Sequence, residues 1–534
     1  MRGSVSIAVG VILALTLLLA GCGGQSEPTP TPTAVPTVAP APTEAATEAA
    51  TEAATEAATE AATEAPTEAA TEAATVEAAV ELTATTEAAT EAATETVTAT
   101  ETTTETAAAA TTATTETATS APVGAGATIS WTVQSASQVV NVVDEKQPAG
   151  AAVSPDGKYI AWYQETGRAR KKEQQICIYT FESASKQCYS FAEKAFMGYP
   201  YQLKWSPDST QITFSENPIQ LGYESDIWVM NVADGAISDL TQDNLTGSWQ
   251  TFVSQGTMPN LDYLPAWNEK DGMIYFWRGV PTGQQKFSIS LQSIDPKGGE
   301  PKQVADLSTS LPGQLPYFYY QTVALDGSST VSPDGTKVAV LMASLNSMGA
   351  AEYSLYTIDL ANPTADPVLV VEPTAWGAAV PTWQDMPTNP LGISWLPDSS
   401  GMVVEAYSNN TWTPFTVFYY IDAATNKMTP VVDFSGLADA SVYAENAPGT
   451  DIPWRYFSPW AASLAPVGNQ LLMLNDLGGV TGIFVAPLPP TGELPPLVQT
   501  SEAWVTTSTS AQASHSRDGK VIMYDLLLQM SPAK

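Results

Sequence analysis

The chain is poor in the side chains that most often carry catalysis, metal binding or nucleic-acid recognition. Its 534 residues include one His, three Cys, and 21 Lys and Arg against 56 Asp and Glu, for a formal net charge of −35. One His excludes a His-rich metal centre and leaves a single candidate, His515, for a His-dependent triad. The shortage of cations argues against nucleic acid and anionic lipid as partners. The sequence has no Gly-x-Ser-x-Gly elbow, no Gly-Lys-Ser/Thr phosphate loop and no Asp-x-Asp-x-Asp-Gly calcium loop. An enzyme is therefore not the first expectation, and neither cofactor nor metal is expected.

Residues 25–120 lack still more. They contain no Lys, no Arg and no aromatic residue, and they reduce to Thr, Glu, Ala and Pro with seventeen Glu. Such a segment cannot bury enough apolar area to offset its ordering entropy. Its Thr-Glu-Ala-Ala repeat sets Glu at i and i+4 without a cation between, which repels, and Thr lowers helix propensity further. A disordered, extended stalk is expected over 22–125, with a mean span of roughly 50–60 Å before charge lengthens it. Removing the stalk and Arg2 leaves 20 basic and 39 acidic residues, a net −19 on the remainder.

The one long apolar run is Val5–Ala20, short for a membrane span and suited to a signal-peptide core. It ends in Leu19-Ala20-Gly21-Cys22, which resembles the lipobox of bacterial lipoproteins. That resemblance implies a signal peptide over 1–21, acyl chains on Cys22, and an extracytoplasmic protein anchored to a bacterial membrane. An ordinary cleaved signal followed by an incidental Cys is the alternative.

What recurs is a turn. Ser154-Pro155-Asp156-Gly157, Ser206-Pro207-Asp208-Ser209, Ser332-Pro333-Asp334-Gly335, Leu396-Pro397-Asp398-Ser399 and Ser516-Arg517-Asp518-Gly519 each stand between short apolar strands. Pro presets φ at the second position, Asp suits the third, and Gly accepts positive φ at the fourth, so each reads as a hairpin turn. A second hairpin follows most copies, as in Asp226–Val232, Ala233-Asp234-Gly235 and Ala236–Thr241. Two degenerate copies, at Asn268–Gly272 and Ala465–Gly468, bring the series to seven at roughly 50–70-residue spacing. Four antiparallel strands per repeat and seven repeats predict a seven-bladed, all-β propeller over 126–534. The last hairpin is followed by one strand, Lys520–Leu527, so Thr128–Val133 and Gln138–Val143 are expected to complete its blade and close the ring.

The aromatic-Ser-Pro-Asp-Gly phrase, the Ile227-Trp228-Val229-Met230-Asn231 strand and the Leu240-Thr241 ending resemble the TolB-like, WD-like propeller repeat. The likeness covers about 400 residues from Ala127 onward. Members of that family include periplasmic binding propellers and the propeller halves of serine peptidases. Fold alone assigns neither activity.

Cys177 and Cys188 flank a turn at Glu182-Ser183, and a hairpin centred there sets them opposite one another. A cross-strand disulfide is expected, permitted by export; two free thiols are the alternative. His515, though flanked by Ser514 and Ser516, stands where Trp205 and Trp395 stand in other repeats, so a packing role is expected.

The turns joining strands 1–2 and 3–4 of each blade fall on one face and read as tight. The connections 2–3 and 4–1 fall on the other and read as long. The long connections are aromatic: Trp249, Tyr317, Tyr319, Trp376, Trp383, Trp412, Trp454 and Arg455 are candidate ligand-binding residues. Packing of these rings onto the rim is the alternative. The expected function is binding of an envelope protein, peptide or glycan by a monomeric propeller. A glycan hydrolase or lyase using paired carboxylates near the central channel is the alternative from another class, and a solute-recognition component beside a transporter a third.

Overall fold

The computed structural model describes residues 131–532 apart from 146–147, 169–170, 191–200, 216–224, 244, 246–255, 258, 284–285, 317–324, 348, 378–387, 409–414, 432–460, 467–468, 476–480, 492–496, 502–510 and 525. Within them the chain forms seven four-stranded antiparallel blades arranged in a ring.

Blade 1 comprises Ala149–Val153, Tyr159–Arg168, Lys171–Thr180 and Ser185–Ser190. Blade 2 comprises Tyr201–Trp205, Gln211–Ser215, Ile227–Asn231 and Ile237–Asp239. Blade 3 comprises Leu261–Trp267, Ile274–Gly283, Lys286–Ile294 and Lys302–Asp306. In blade 4 the first strand is Ser329–Val331, and Leu315–Pro316 pairs with the far end of Lys337–Leu345; Ala351–Asp359 and Val368–Val371 follow. Blade 5 comprises Thr388–Trp395, Gly401–Ser408, Phe415–Asp422 and Met428–Pro430. Blade 6 comprises Ala461–Leu464, Gln470–Asn475, Thr481–Pro487 and Leu497–Ser501.

Blade 7 closes the ring, with one correction to the expectation. The chain reverses again after Lys520–Tyr524 and contributes Leu526–Pro532, so three strands come from the C-terminal end. One place is left, and Trp131–Gln138 fills it by pairing with Leu526–Pro532. The segment expected as a second closing strand is instead a short helix, Val139–Val143. Its i, i+4 valines explain the choice: one helical face buries Val139 and Val143 together, whereas a strand would place them two pleats apart.

Each turn saturates its own polar groups. Ser154, Ser206, Ser332 and Ser516 donate through Oγ to the turn Asp at 2.5–2.7 Å. The same hydroxyls accept the N–H of Tyr159, Gln211, Lys337 and Lys520. The fourth position is left-handed throughout, with φ of 74° at Gly157, 64° at Ser209, 66° at Gly335, 60° at Ser399 and 95° at Gly519. Four residues before the turn, the first strands of blades 1–3 carry a bulge at Gly150, Gln202 and Leu264, all at positive φ. Recurrence at one position marks the bulge as part of the blade's design, not as local strain at a site.

The blades bury their apolar faces against one another. Trp376, Leu396, Val404, Tyr419 and Leu471 belong to a core shared by blades 4, 5 and 6. Trp131, Leu472, Ile483 and Leu528 belong to one shared by blades 6 and 7. Leu396 stands where other turns have Ser, and it is fully buried there, so this copy exchanges a turn hydroxyl for core packing.

Candidate functional site

The two faces of the ring are built differently. On the turn face, neighbouring turns bond to each other. The N–H of Asp156 donates to Ser209 Oγ at 3.0 Å, and the N–H of Asp334 donates to Ser399 Oγ at 3.0 Å. Asn469 Nδ2 donates to Asp398 Oδ2 at 3.0 Å, and Asn268 Nδ2 to the Gly335 carbonyl at 3.4 Å. Arg517 donates its N–H to the Pro155 carbonyl at 2.8 Å and reaches Pro207 in blade 2 at 3.2 Å. A Cβ on Gly157 would collide with the Asp518 carboxylate. The turn carboxylates are held ionised: hydrogen bonds from Ser206 and Thr210 lower the pKa of Asp208, and those from Ser332 and Thr336 outweigh partial burial at Asp334.

On the opposite face the long connections are those from the fourth strand of one blade to the first of the next, such as 240–260 and 372–387. This narrows the expectation. The connections between second and third strands are short hairpins in most blades, as at 346–350 in blade 4, and blade 2 is the exception with 216–226.

The described roots of the long connections are buried anchors. Trp376 follows the short 3-10 turn Pro373–Ala375 and is fully buried. Its Nε1 donates to the Tyr353 carbonyl of blade 4 at 2.8 Å, its carbonyl accepts the Tyr419 hydroxyl of blade 5, and its ring meets Tyr419 edge-on at 6.3 Å. Of the candidate binding aromatics, then, Trp376 is a wedge between two blades and is closed to a ligand. Trp249, Tyr317, Tyr319, Trp383, Trp412, Trp454 and Arg455 lie outside the described residues, as does Cys22.

The second anchor lies under 240–260. Asp262, fully buried, accepts two bonds from Arg278, at 2.7 Å from Nε and 2.6 Å from Nη2. Burial opposes the guanidinium charge, but Asp262, with Asp226 and Asp243 behind it, holds the Arg278 pKa above its ordinary value. Asp243 in turn accepts the N–H of Leu245 and of Asn260, tying both ends of the connection.

A third cluster lies at the axis. Lys204, in the first strand of blade 2, donates to the Asp326 carbonyl at the start of blade 4, skipping blade 3. Asp326 bonds through its N–H to Ser394 Oγ at 3.2 Å, and its charge reaches both Lys204 and His515 of blade 7. Burial pushes the pKa of Lys204 and of His515 down, with Asp326 acting against it in each case. His515 pairs with Val521 as Trp205 pairs with Ile212 and Trp395 with Met402, the register of a packing position.

Sequence reasoning passed over Lys204, Asp326, Asp262 and Arg278. Lys204 had a signal: two residues before the turn the other blades carry Ala152, Ala266, Thr330, Ser394, Ser463 and Ser514, all small. The disulfide lies in blade 1, where Cys177 and Cys188 are bonded and directly opposed in the register.

No protein-family model matches the sequence, and no curated protein matches it. Solved structures with a similar chain course include a putative TolB from Agrobacterium tumefaciens, 12% identical, covering 67% of this chain and 98% of that one, with a TM-score of 0.33. An oligogalacturonate lyase in complex with manganese is 10% identical, covering 76% and 96%, with a TM-score of 0.42. The polysaccharide lyase Uly1 is 11% identical, covering 72% and 90%, with a TM-score of 0.43. At these values the architecture rests on the strand registers themselves.

Proposed function

We propose that this chain is an extracytoplasmic, lipid-anchored binding propeller. Its long-connection face recognises a protein, peptide or glycan of the cell envelope. One observation carries the reading: the turns of one face are hydrogen-bonded to each other across blade boundaries, which leaves recognition to the face where the long, aromatic connections emerge. Rigid roots at Trp376 and at Asp262–Arg278 suit loops that present side chains to a partner. The Cys177–Cys188 disulfide and the lipobox-like Leu19–Cys22 segment support an exported location. The acidic stalk then works as a leash that raises local concentration near the membrane.

The reading is tested by a glycan array and an envelope pull-down with the full chain and with its Trp383→Ala and Trp454→Ala variants. A ligand retained by the parent and lost by either variant supports it. A ligand indifferent to both sinks it. Membrane fractionation tests the anchor: Cys22→Ser is expected to release the chain into the soluble fraction.

A second reading, a glycan-active enzyme, draws on the axis, where Asp326 lies among Lys204 and His515. Among the described residues the axial cluster is one carboxylate with two bases rather than a carboxylate pair. Polysaccharide cleavage by the parent, abolished in Lys204→Met, would favour it.

A further inference from the structure

Blade 1 carries a projecting arm with the densest positive charge of an acidic protein. Its second and third strands pair without a break from Tyr159–Thr180 to Arg168–Lys171. Their neighbours stop earlier: the first strand pairs last at Ala149 with Tyr163, and the outer strand at Ser190 with Gln175. Residues 164–168 and 171–174 therefore run on, on the long-connection face, as a ribbon of two strands. Thr166, Gly167 and Glu173 in it are exposed. The base is stiffened by the Cys177–Cys188 bond and by the Gln164–Gln175 and Gln175–Ser190 hydrogen bonds at 2.8 and 3.1 Å.

The charges of the ribbon are sorted. Its two acids are engaged within the blade: Glu165 accepts from Tyr163 and Gln174, and Glu173 accepts from Ser190. Its cations, Arg168, Lys171 and Lys172, occupy the far end. The register sets Arg168 directly opposite Lys171, and like charges facing across a strand pair destabilise it. A ribbon without a third strand is marginal by itself. A polyanion that bridged these cations would relieve both costs.

We propose that this arm docks a linear anionic polysaccharide. The inference rests on the binding-face reading and narrows its ligand to a charged glycan. No large apolar residue lies between Gln164 and Gln175, so the arm offers nothing to a bilayer interior or to an apolar peptide. The rest of the propeller is strongly acidic and would be repelled by an extended anionic surface facing it. A slender chain meets the arm while avoiding that body. Its sugar rings also suit the aromatic connections of the same face, which an acidic peptide would use less well.

The test uses the full chain and an Arg168→Gln, Lys171→Gln, Lys172→Gln triple variant, in which neutralisation removes repulsion and so leaves folding intact. Binding to polygalacturonate, neutral dextran, polyglutamate and phosphatidylglycerol vesicles is measured at low and at near-molar salt. The parent is expected to bind polygalacturonate over dextran, to lose affinity with salt, and to weaken by roughly tenfold or more in the triple variant. Equal binding by parent and triple variant, salt-independent binding, or tighter binding to polyglutamate or vesicles overturns the proposal. The Trp383→Ala and Trp454→Ala variants separate the two readings. If they abolish glycan binding and the triple variant does not, the face stands and the arm falls. If only the triple variant matters, the arm stands and the aromatic face falls.

Discussion

The hydroxyl of Ser209 accepts the backbone N–H of Asp156 across a blade boundary, at 3.0 Å, while Ser209 itself sits at φ 64°. Glycine, the residue that suits this conformation, stands at the corresponding site of three other turns: Gly157, Gly335 and Gly519. Ser209 thus accepts a backbone cost of about 1–2 kcal/mol in exchange for a bond between blades. Ser209→Ala keeps the cost and loses the bond, and should lower stability by about 1–2 kcal/mol. Ser209→Gly loses the bond but relieves the backbone, and should fall within about 1 kcal/mol of the parent. Urea midpoints of the two variants give the order; Gly below Ala would contradict the assignment.

The Asp262–Arg278 pair predicts a sharper loss. Arg278→Met strands a fully buried carboxylate and should cost about 3–5 kcal/mol. The double variant Asp262→Leu, Arg278→Met removes both charges and should recover most of that loss. Chemical denaturation of the three proteins checks this, and a double variant no better than the single one would show that packing, not charge, dominates here.

His515 sets a pH dependence. Burial lowers its folded-state pKa below the ordinary value of about 6.5, despite the opposing pull of Asp326. The folded state therefore prefers the neutral ring. The contribution is complete above the unfolded pKa and is lost as pH falls through it toward the folded value. Parent stability should decline from pH 7.5 to pH 5 more steeply than that of His515→Phe, which has no proton to gain. Denaturation midpoints across that range give the comparison, and parallel curves would remove His515 from the account.

Much of this fold was legible because one turn does two jobs. Ser-Pro-Asp-Gly carries φ preference and hydrogen-bond capacity in four adjacent residues, so local chemistry identifies it. The blade count and the Cys177–Cys188 register follow by counting along strands. The closure of blade 7 was harder. Val139 and Val143 are β-branched and read as strand, but burial of both on one face of a single helical turn prevailed over propensity. The axial and loop-root clusters were illegible for another reason. Lys204 and Asp326 meet across the ring from blades 2 and 4, and a spacing of that kind has no local signature. Only alignment of the repeats, with Lys204 among Ala, Ser and Thr, isolates it.

Trp376 separates packing from recognition among the aromatics of the long connections. Its ring is fully buried between blades 4 and 5, and its Nε1 and carbonyl bond to one blade each. Trp376→Ala would empty that wedge and should cost about 3–5 kcal/mol. Trp376→Phe keeps most of the volume but leaves the Tyr353 carbonyl without its donor, and should cost about 1–2 kcal/mol. Ligand affinity should change in neither variant at temperatures where both remain folded, because the ring has no exposed edge to offer. Trp383→Ala should show the reverse, with near-parental stability and weakened binding. Thermal denaturation and titration of the same preparations decide it. If Trp376→Phe loses affinity while holding its stability, the connection it anchors is itself part of the binding surface and must be held in place for recognition.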